Sequence, residues 1–170
     1  MANAPTWIDD CRNWCRQVKY IAIQSEHREW REKQPNTLWL RAQVLNDRRE
    51  TMPHLYFKAE YRLGLRTGRE TYDFQLMWRD PMPKGQHRRV LCIEIDEDWK
   101  RTHAEPDGTD IYGTHVQLGD KRAGSYCVRE WRVPPERDHW REWARRFGKL
   151  AWVSHTSTIL FPPFGDDLFG

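Results

Sequence analysis

The stretch HAEPDGTDIYGTH, from His103 to His115, is rich in side chains that could do chemistry. His103, Asp107, Asp110 and His115 can each ligate a metal ion. Two imidazoles with one or two carboxylates suit zinc, iron or manganese better than calcium, so one hypothesis is a transition-metal or acid–base site. The spacing matches no closed metal-binding motif, however, and the histidines are not a helical i, i+4 pair.

The alternative is that the same stretch is a structural connector between two strands. Pro106 followed by Asp107-Gly108 favours a tight turn, and Gly113 allows a second bend. In this interpretation His115 begins a strand and its imidazole hydrogen-bonds a loop carbonyl. We favour the connector, so the sequence predicts no bound metal and no cofactor.

A second constellation has the spacing of a nuclease site. Asp80 follows one predicted strand and Asp98-x-Lys100 follows the next, which gives a D…DxK pattern. Restriction-type nucleases hold a divalent cation with two such carboxylates and position the attacking water with the lysine. Glu94-x-Asp96 competes with Asp98 for this role, and Asp80 lies in the turn RDPMP. A metal-dependent hydrolase or nuclease acting on nucleic acid is therefore the alternative function.

The aromatic and basic residues favour recognition of a macromolecule. The chain has ten tryptophans, and Trp, Tyr and Arg are the side chains that dominate interface hot spots. The candidate surface residues are Trp30, Trp39, Arg62, Arg66, Arg88, Arg89, Trp99 and Trp131. The chain has 28 basic and 25 acidic residues, which gives a formal net charge of +3. This small charge permits nucleic-acid binding but does not predict it. We expect a protein partner first and nucleic acid second.

The spacing of apolar residues predicts the elements that position these side chains. Helical spacing from about Thr6 to Lys19, with Thr6 and Asp9 arranged like a capping box, predicts a first helix. Alternation with a period of two predicts strands in LWLRAQVLN, HLYFKAEYRLGLR, TYDFQLMWR, RRVLCIEI, THVQLG and SYCVREW. Pro134-Pro135 opens a second helix. The charged segment 25–33 is compatible with a helix, and WVSHTSTILF with a last strand.

These elements predict an α+β fold. We expect an antiparallel meander of five to seven strands with the N-terminal and C-terminal helices on one face. A chain of 170 residues is long enough to bury one core, and it contains no Gly-, Ser- or Pro-rich linker. The prediction is one domain over residues 1–161, followed by a C-terminal tail over residues 162–170.

Several classes of protein are excluded by the sequence. The four cysteines form no CxxC pair, which argues against a zinc ribbon or finger. Charged residues interrupt the first twenty positions, and no apolar run approaches the ~20 residues of a membrane span. No G-x-S-x-G elbow or phosphate-binding glycine loop is present. We expect a cytoplasmic protein that makes no membrane contact.

The run VLCIEIDEDWKRTHAEPDGTDIYGTHVQLG, from Val90 to Gly119, resembles the central signature of an uncharacterised family of small bacterial and phage-associated proteins. In that family a strand leads to a histidine, an Asn-Pro-(Asp)-Gly-like turn and a Gly-x-His-x-His strand. The matching residues are His103, Pro106, Asp107, Gly108, Gly113 and His115. Ala104-Glu105 replaces the asparagine, and Gln117 stands where the second histidine of the strand would be. If that histidine pair is a ligand set, the replacement weakens the metal hypothesis.

The resemblance implies a setting in mobile elements and phage–host conflict, and it implies no activity. Together with the tryptophans and arginines, it leads us to expect a non-enzymatic macromolecule-binding protein. The most concrete version is an inhibitor or accessory factor that blocks a defence complex.

Overall fold

The computed structural model describes residues 6–22, 30–64, 68–82, 85–104, 108–121, 125–130 and 140–154. Its helices are α1 (Trp7–Cys15) and α2 (Trp140–Ala151). Its strands are β1 (Lys19–Ile21), β2 (Arg31–Gln34), β3 (Thr37–Leu45), β4 (Thr51–Gly64), β5 (Arg69–Arg79), β6 (His87–Ile95), β7 (Arg101–Ala104), β8 (Asp110–Tyr112), β9 (His115–Asp120), β10 (Ser125–Glu130) and β11 (Val153–Ser154). The predicted tail and Pro134-Pro135 lie outside the described residues.

The α+β class predicted from the sequence is confirmed, but the clean antiparallel meander of five to seven strands is wrong. Nine strands form one sheet in the order β10-β9-β6-β5-β4-β3-β1-β11, with β2 paired to β3 at the side. β11 runs parallel to β1, with Lys19 opposite Val153 and Tyr20 opposite Ser154. β7 and β8 form a separate hairpin, inserted between β6 and β9.

The charged segment 25–33 is not helical where the structure describes it. Arg31–Gln34 is a strand that pairs with β3, and Pro35-Asn36 closes a tight hairpin between them. Asn36 has φ 63°, a left-handed conformation that asparagine tolerates and that follows proline in a type II turn. Tertiary pairing therefore overrides the helical propensity of this segment.

The first helix begins as predicted and ends earlier. The Thr6 hydroxyl accepts from the backbone N–H of Asp9, and the Asp9 carboxylate accepts from the backbone N–H of Thr6, so the capping box is confirmed. The helix ends at Cys15 because Lys19 already belongs to β1. The buried Lys19 ammonium donates to the carbonyls of Trp14 and Gln17, which stabilises the end of the helix.

The two helices pack on one face of the sheet, as predicted. Phe74 of β5 lies 4.4 Å from Trp140 between ring centroids, and Phe57 of β4 lies 5.5 Å from Phe147. The buried face of α2 is formed by Trp140, Trp143, Ala144, Phe147 and Ala151. Within the described residues, no helix has the length and apolar character to cross a membrane.

Candidate metal centre

The sheet face opposite the helices carries polar side chains, many of them buried. We call it the polar face and define it by three rows of strand partners. The first row is Trp39, Glu60, Asp73, Glu94 and His115; the second is Arg41, Lys58, Gln75, Cys92 and Gln117; the third is Gln43, Tyr56 and Met77. Polar groups are costly to bury unless each finds a partner, so a buried polar face is a place to look for function.

Glu94, His103 and His115 converge at one edge of the polar face. Glu94 lies on β6, His103 on β7 and His115 on β9, and their ligand atoms all lie within 4.8 Å of one another. The Oε2 atom of Glu94 is 3.3 Å from Nε2 of His103 and 3.1 Å from Nε2 of His115. The imidazole rings meet edge to face, with centroids 4.6 Å apart.

These separations are those of ligands around one small cation. With bonds of about 2.1 Å, two ligand atoms lie about 3.0 Å apart in octahedral geometry and about 3.4 Å apart in tetrahedral geometry. The two measured distances from Glu94, 3.1 and 3.3 Å, fall within this range. Both distances from Glu94 therefore fit a metal site, and the ligand atoms of the two histidines lie within 4.8 Å of each other. In the structure, His103 and Glu94 form a hydrogen bond at 3.3 Å.

The backbone fixes the tautomer of His115. Its Nδ1 lies 3.0 Å from the carbonyl oxygen of Gly113, which can only accept, so Nδ1 carries the proton. Thr102 approaches the same nitrogen at 3.3 Å, but its hydroxyl already donates to the carbonyl of Ile111 at 3.0 Å. A histidine held in this way presents the lone pair of Nε2, which is how metal-ligating histidines are oriented.

Nε2 of His115 has no hydrogen-bond partner among the residues that the structure describes. The side chain is fully buried, and the Oε2 atom of Glu94 lies 3.1 Å from this nitrogen. An unprotonated imidazole nitrogen and a carboxylate oxygen at this distance repel each other unless a proton or a metal cation lies between them. A metal ion is one of the two ways to satisfy the pair, and the other is an imidazolium that donates to Glu94.

The turn before β9 holds His115 through Gly113. This glycine has φ 64°, and an added Cβ would lie 2.8 Å from the Cα atom of Asp98. Its N–H donates to the carbonyl of Lys100 at 2.9 Å, and the next residue, Thr114, donates its hydroxyl to the Asp96 carbonyl at 3.2 Å. Only glycine satisfies both the left-handed backbone and the close approach.

The carboxyl groups of the first row differ in their surroundings. Burial alone would raise the pKa of Glu94, but interactions with His103 and His115 outweigh it and hold that pKa well below its usual range. Burial raises the pKa of Asp73 to about 6, and the neighbouring charges of Glu60 and Glu94 add to the rise. Only Gln75, which donates to Asp73 at 2.8 Å, and the charge of Lys58 act in the opposite direction.

Glu60 is surrounded by positive charge. Lys58 lies 2.8 Å and Lys33 3.3 Å from its Oε2 atom, while the Nε atom of Arg62 lies 2.9 Å from its Oε1 atom. Burial would raise the pKa of Glu60, but the hydrogen bonds from Lys58 and Arg62 outweigh it and lower the pKa. Glu60 is therefore a satisfied ion-pair partner and leaves no ligand position open.

The structure brings together two of the four metal candidates named from the sequence. His103 and His115 meet, whereas Asp110 lies 2.8 Å from Arg101 in an ion pair and takes no part in the cluster. Asp107 lies outside the described residues. The prediction that His115 begins a strand and hydrogen-bonds a loop carbonyl is confirmed. The connector and the metal hypotheses are thus compatible, because the turn orients the imidazole.

The nuclease-like set does not come together. Asp80 follows β5 and Asp98 follows β6, so they lie at opposite ends of the same hairpin, roughly 30 Å apart for nine residues of strand. Asp80 lies 3.6 Å from Arg88, and Lys100 pairs with Asp96. Asp98 is exposed in the turn that contacts Gly113.

The residues predicted to form a binding surface are spread over the molecule. Trp30 packs against the core and meets Trp140 edge to face at 5.4 Å. Arg89 donates to Gln117 at 2.7 Å. Trp99 is 67% exposed. Trp39 and Arg62 lie beside Glu60 on the sheet, and Arg88 lies 3.6 Å from Asp80. Arg66 and Trp131 lie outside the described residues.

Glu94 is the functional residue that sequence reasoning missed as a partner of the histidines. A signal was present: in RRVLCIEI the residues Leu91, Ile93 and Ile95 face the core, so Glu94 lies on the opposite face of a central strand. What the pattern could not supply is the pairing of Glu94 with His115, which depends on the insertion of the β7–β8 hairpin.

The fold and the site define an α+β protein with a candidate metal centre on the polar face of a curled, mixed sheet. Comparisons with protein-family models, curated proteins and solved structures found no match to this chain. The geometry of the site is therefore the basis for inferring its function.

Proposed function

We propose that this protein is a metal-dependent hydrolase with one transition-metal ion bound by Glu94, His103 and His115. The observation that carries the proposal is the buried imidazole of His115. Its Nδ1 is held by the Gly113 carbonyl, and its Nε2 faces the Glu94 carboxylate without a hydrogen-bond partner among the described residues.

The ligand set favours a catalytic rather than a structural ion. Two histidines and one glutamate ligate catalytic zinc in several hydrolases, and two histidines with one carboxylate also ligate iron in oxygenases. Structural zinc sites are closed by four protein ligands, whereas catalytic sites keep a position for water. Glu94 and His103 are 32% and 27% exposed, which leaves room for water or substrate on one side of the ion.

A metal ion at this place supplies hydrolytic chemistry. An ion held by Glu94, His103 and His115 would lower the pKa of a bound water to about 7 and so supply hydroxide near neutral pH. In a hydrolysis this oxygen would bond to the electrophilic carbon or phosphorus as the bond to the leaving group breaks, and the leaving oxygen or nitrogen would take a proton from solvent. The chain's own contribution is to hold Glu94 and His115 on the paired strands β6 and β9 and to bring His103 to them from the β7–β8 hairpin.

Metal titration is the first test of this proposal. After treatment with EDTA, we expect the protein to bind zinc, manganese or iron(II) with one ion per chain in calorimetry and elemental analysis. His103→Ala and Glu94→Gln are expected to lower the affinity by at least roughly 100-fold, because even outer-shell partners contribute 10–100-fold. His87→Ala, which removes an exposed histidine from the same strand as Glu94, is the matched control and keeps full affinity.

The hydrolase part is tested on the metal-loaded protein with chromogenic carboxylic esters and phosphodiesters. The proposed hydrolase activity is supported if turnover disappears with EDTA, returns when metal is added and is absent from His103→Ala. His103 is preferred to the fully buried His115 because its replacement is compatible with folding, which far-ultraviolet circular dichroism checks. Failure of the wild-type protein to bind any of the metals, or equal binding by His103→Ala, would overturn the metal centre.

The non-enzymatic binding function predicted from the sequence is the second candidate. The observation that favours it is Trp99, which is 67% exposed and has the Arg69 guanidinium 5.4 Å from its ring centroid. Exposed tryptophan beside arginine is typical of interface hot spots. A defined protein partner, for example from a phage defence complex, should then bind Trp152→Ala, a second exposed tryptophan, but not Trp99→Ala. Equal binding by both variants would exclude this surface.

A further inference from the structure

The other end of the polar face contains a cavity with three arginines. The cavity has a volume of about 310 Å³ and is bordered by β2, β3, β4 and β5. We define the arginine pocket by Arg31, Arg41, Arg79, Trp39 and Tyr56, which all line it. Its volume is at the lower end of the range for ligand pockets, about 300–1,000 Å³, so it suits a group no larger than one nucleotide.

We propose that the arginine pocket binds the phosphate group of a nucleotide, with the base against Trp39. Three guanidinium groups line one cavity, and none of the described residues that line it is acidic. Arginine presents a planar fork of donors that matches the oxygens of a phosphate. An aromatic ring beside such a fork offers a surface on which a base stacks.

The pocket arginines share one cavity and have no carboxylate partner in the part of the chain that the structure describes. Within the described residues, Arg31, Arg41 and Arg79 form no ion pair, whereas Arg62, Arg69 and Arg101 each form one. Among the same residues, Arg16, Arg48, Arg49 and Arg89 also form none, but they do not line this cavity. Three like charges around one cavity repel each other, so an anion between them relieves an unfavourable arrangement.

The geometry within the pocket orients one of the three donors, Arg41. The Arg41 guanidinium lies over the Tyr56 ring, 4.0 Å from its centroid, which limits the rotation of a long side chain. The hydroxyl of Tyr56 lies 2.7 Å from Nδ1 of His87. Burial, followed by the charges of Arg41 and Arg79, lowers the pKa of His87, which agrees with a positive potential at this end. The neutral imidazole accepts a hydrogen bond from the Tyr56 hydroxyl and holds the ring in place.

The first row of the polar face joins this pocket to the candidate metal centre. Trp39, Glu60, Asp73 and Glu94 are successive strand partners, so Trp39 and Glu94 are three strand spacings apart, about 14 Å. A short single strand held by one phosphate in the pocket can reach the ion with another. The role of the pocket in placing a nucleic-acid substrate rests on the proposed hydrolase function, whereas nucleotide binding itself does not.

The test is a binding titration in EDTA, so that no metal contributes. The ligands are AMP, UMP, inorganic phosphate, a short single-stranded oligonucleotide and an acidic peptide, and the signals are tryptophan fluorescence and calorimetry. We expect Arg41→Gln and Arg79→Gln each to weaken nucleotide binding roughly tenfold, the usual effect of one charge-assisted hydrogen bond. Arg145→Gln, which removes one exposed positive charge from α2, is the matched control and leaves the affinity unchanged.

A further variant separates the base from the phosphate. Trp39→Leu is expected to weaken AMP and UMP but not inorganic phosphate, because only the nucleotides carry a ring. Tighter binding of the oligonucleotide than of AMP identifies a nucleic-acid strand as the source of the phosphate, and equal binding identifies a free nucleotide. Raising the salt from about 50 to 200 mM weakens the interaction in both cases.

The outcomes distinguish this inference from the proposed function. If the pocket is independent of the metal centre, His103→Ala retains nucleotide binding. If the wild-type protein binds nucleotide but no metal, only the proposed hydrolase function is contradicted. Nucleotide affinity that is the same in Arg41→Gln, Arg79→Gln and Arg145→Gln would overturn the pocket, and so would an acidic peptide that binds as tightly as AMP.

Discussion

The two ends of the polar face use opposite ways of preparing a binding site. At the metal end, Glu94 and His115 stand on the paired strands β6 and β9, His103 stands on the separate β7–β8 hairpin, and a backbone carbonyl fixes the orientation of His115. At the pocket end, Arg31, Arg41 and Arg79 are long and exposed. The first site can be rigid because the strands fix its ligands, whereas the second must adapt to its ligand.

This difference follows from the charges that each end must attract. A cation that forms bonds of about 2 Å tolerates little error in the positions of its ligands, so the ligands must stand on a rigid backbone. An anion the size of phosphate is bound by several donors at longer range, and flexible guanidinium groups converge on it. One sheet face can carry both sites only if the acidic residues of the metal end and the arginines of the pocket do not form ion pairs with each other.

The middle of the first row keeps the two ends apart. Glu60 is paired with Lys58, Lys33 and Arg62, so it does not draw the pocket arginines away. Asp73 stands between Glu60 and Glu94 and has no such cation in contact among the described residues. Two acidic residues therefore separate the two ends: Glu60, whose pKa is lowered, and Asp73, whose pKa is raised.

The largest effect is expected for Asp73→Asn in metal-free protein. Below pH 3.8 Asp73 is protonated in both states, and between pH 3.8 and about 6 the unfolded chain loses its proton first. The free energy of unfolding of the wild type therefore falls over this window, by about 3 kcal/mol for a shift of this size. Asparagine keeps the acceptor for Gln75 and carries no charge, so the variant gains about this much relative to the wild type above pH 6.

Urea denaturation in EDTA at pH 3.5, 5 and 7 measures this difference. The advantage of the variant is expected to grow from the first pH to the last and then to stay constant. A difference between variant and wild type that does not change with pH would mean that Asp73 has an ordinary pKa. The middle of the first row would then have no particular influence on the sites at its two ends.

The second prediction concerns the turn that positions His115. Gly113→Ala and Gly68→Ala both place a side chain at positive φ, 64° and 61°, which costs about 1 kcal/mol each. An added Cβ meets nothing within 4 Å at Gly68 but lies 2.8 Å from the Asp98 backbone at Gly113. Gly113→Ala should therefore lose about 2 kcal/mol more of the free energy of unfolding than Gly68→Ala.

Metal titration extends this pair of variants to function. Because the Gly113 carbonyl holds the proton of His115, its displacement is expected to lower metal affinity at least tenfold in Gly113→Ala and not in Gly68→Ala. Nucleotide binding should be the same in both. If the two glycine variants lose the same stability and the same metal affinity, the turn has no special role in the site.

The sequence predicted those features that depend on local pattern. Alternation in β3, β4 and β5 assigned residues such as Phe57 and Glu60 to opposite faces correctly, and the capping box at Thr6 marked the start of α1. Local pattern did not predict β2 or the parallel pairing of β11, because both depend on partners distant in the chain.

The site was half predictable for the same reason. The residue types at His103 and His115 raised the metal hypothesis, although their spacing matched no metal-binding motif and the connector was favoured. Glu94 joined them only through the strand order that places β9 beside β6. The arginine pocket was not predicted at all, since Arg31, Arg41 and Arg79 come from three strands and form no motif along the chain. Long-range pairing decides which polar residues meet.

The smallest effect is expected for Arg62→Gln, which tests whether the middle of the row is independent of its ends. The Arg62 side chain is 55% exposed, so its ion pair with Glu60 should contribute about 0.5–1 kcal/mol to the free energy of unfolding at pH 7. The pKa of Glu60 is lowered by its partners, so this contribution is present above its ordinary pKa of 4.5 and is lost as the pH falls below it. Denaturation at pH 7 and pH 3 measures the loss, while calorimetry of the same variant should show metal and nucleotide affinities within twofold of the wild type. If Arg62→Gln instead weakens nucleotide binding strongly, Glu60 has drawn Arg41 out of the pocket, and the two ends are coupled through the row that we describe as separating them.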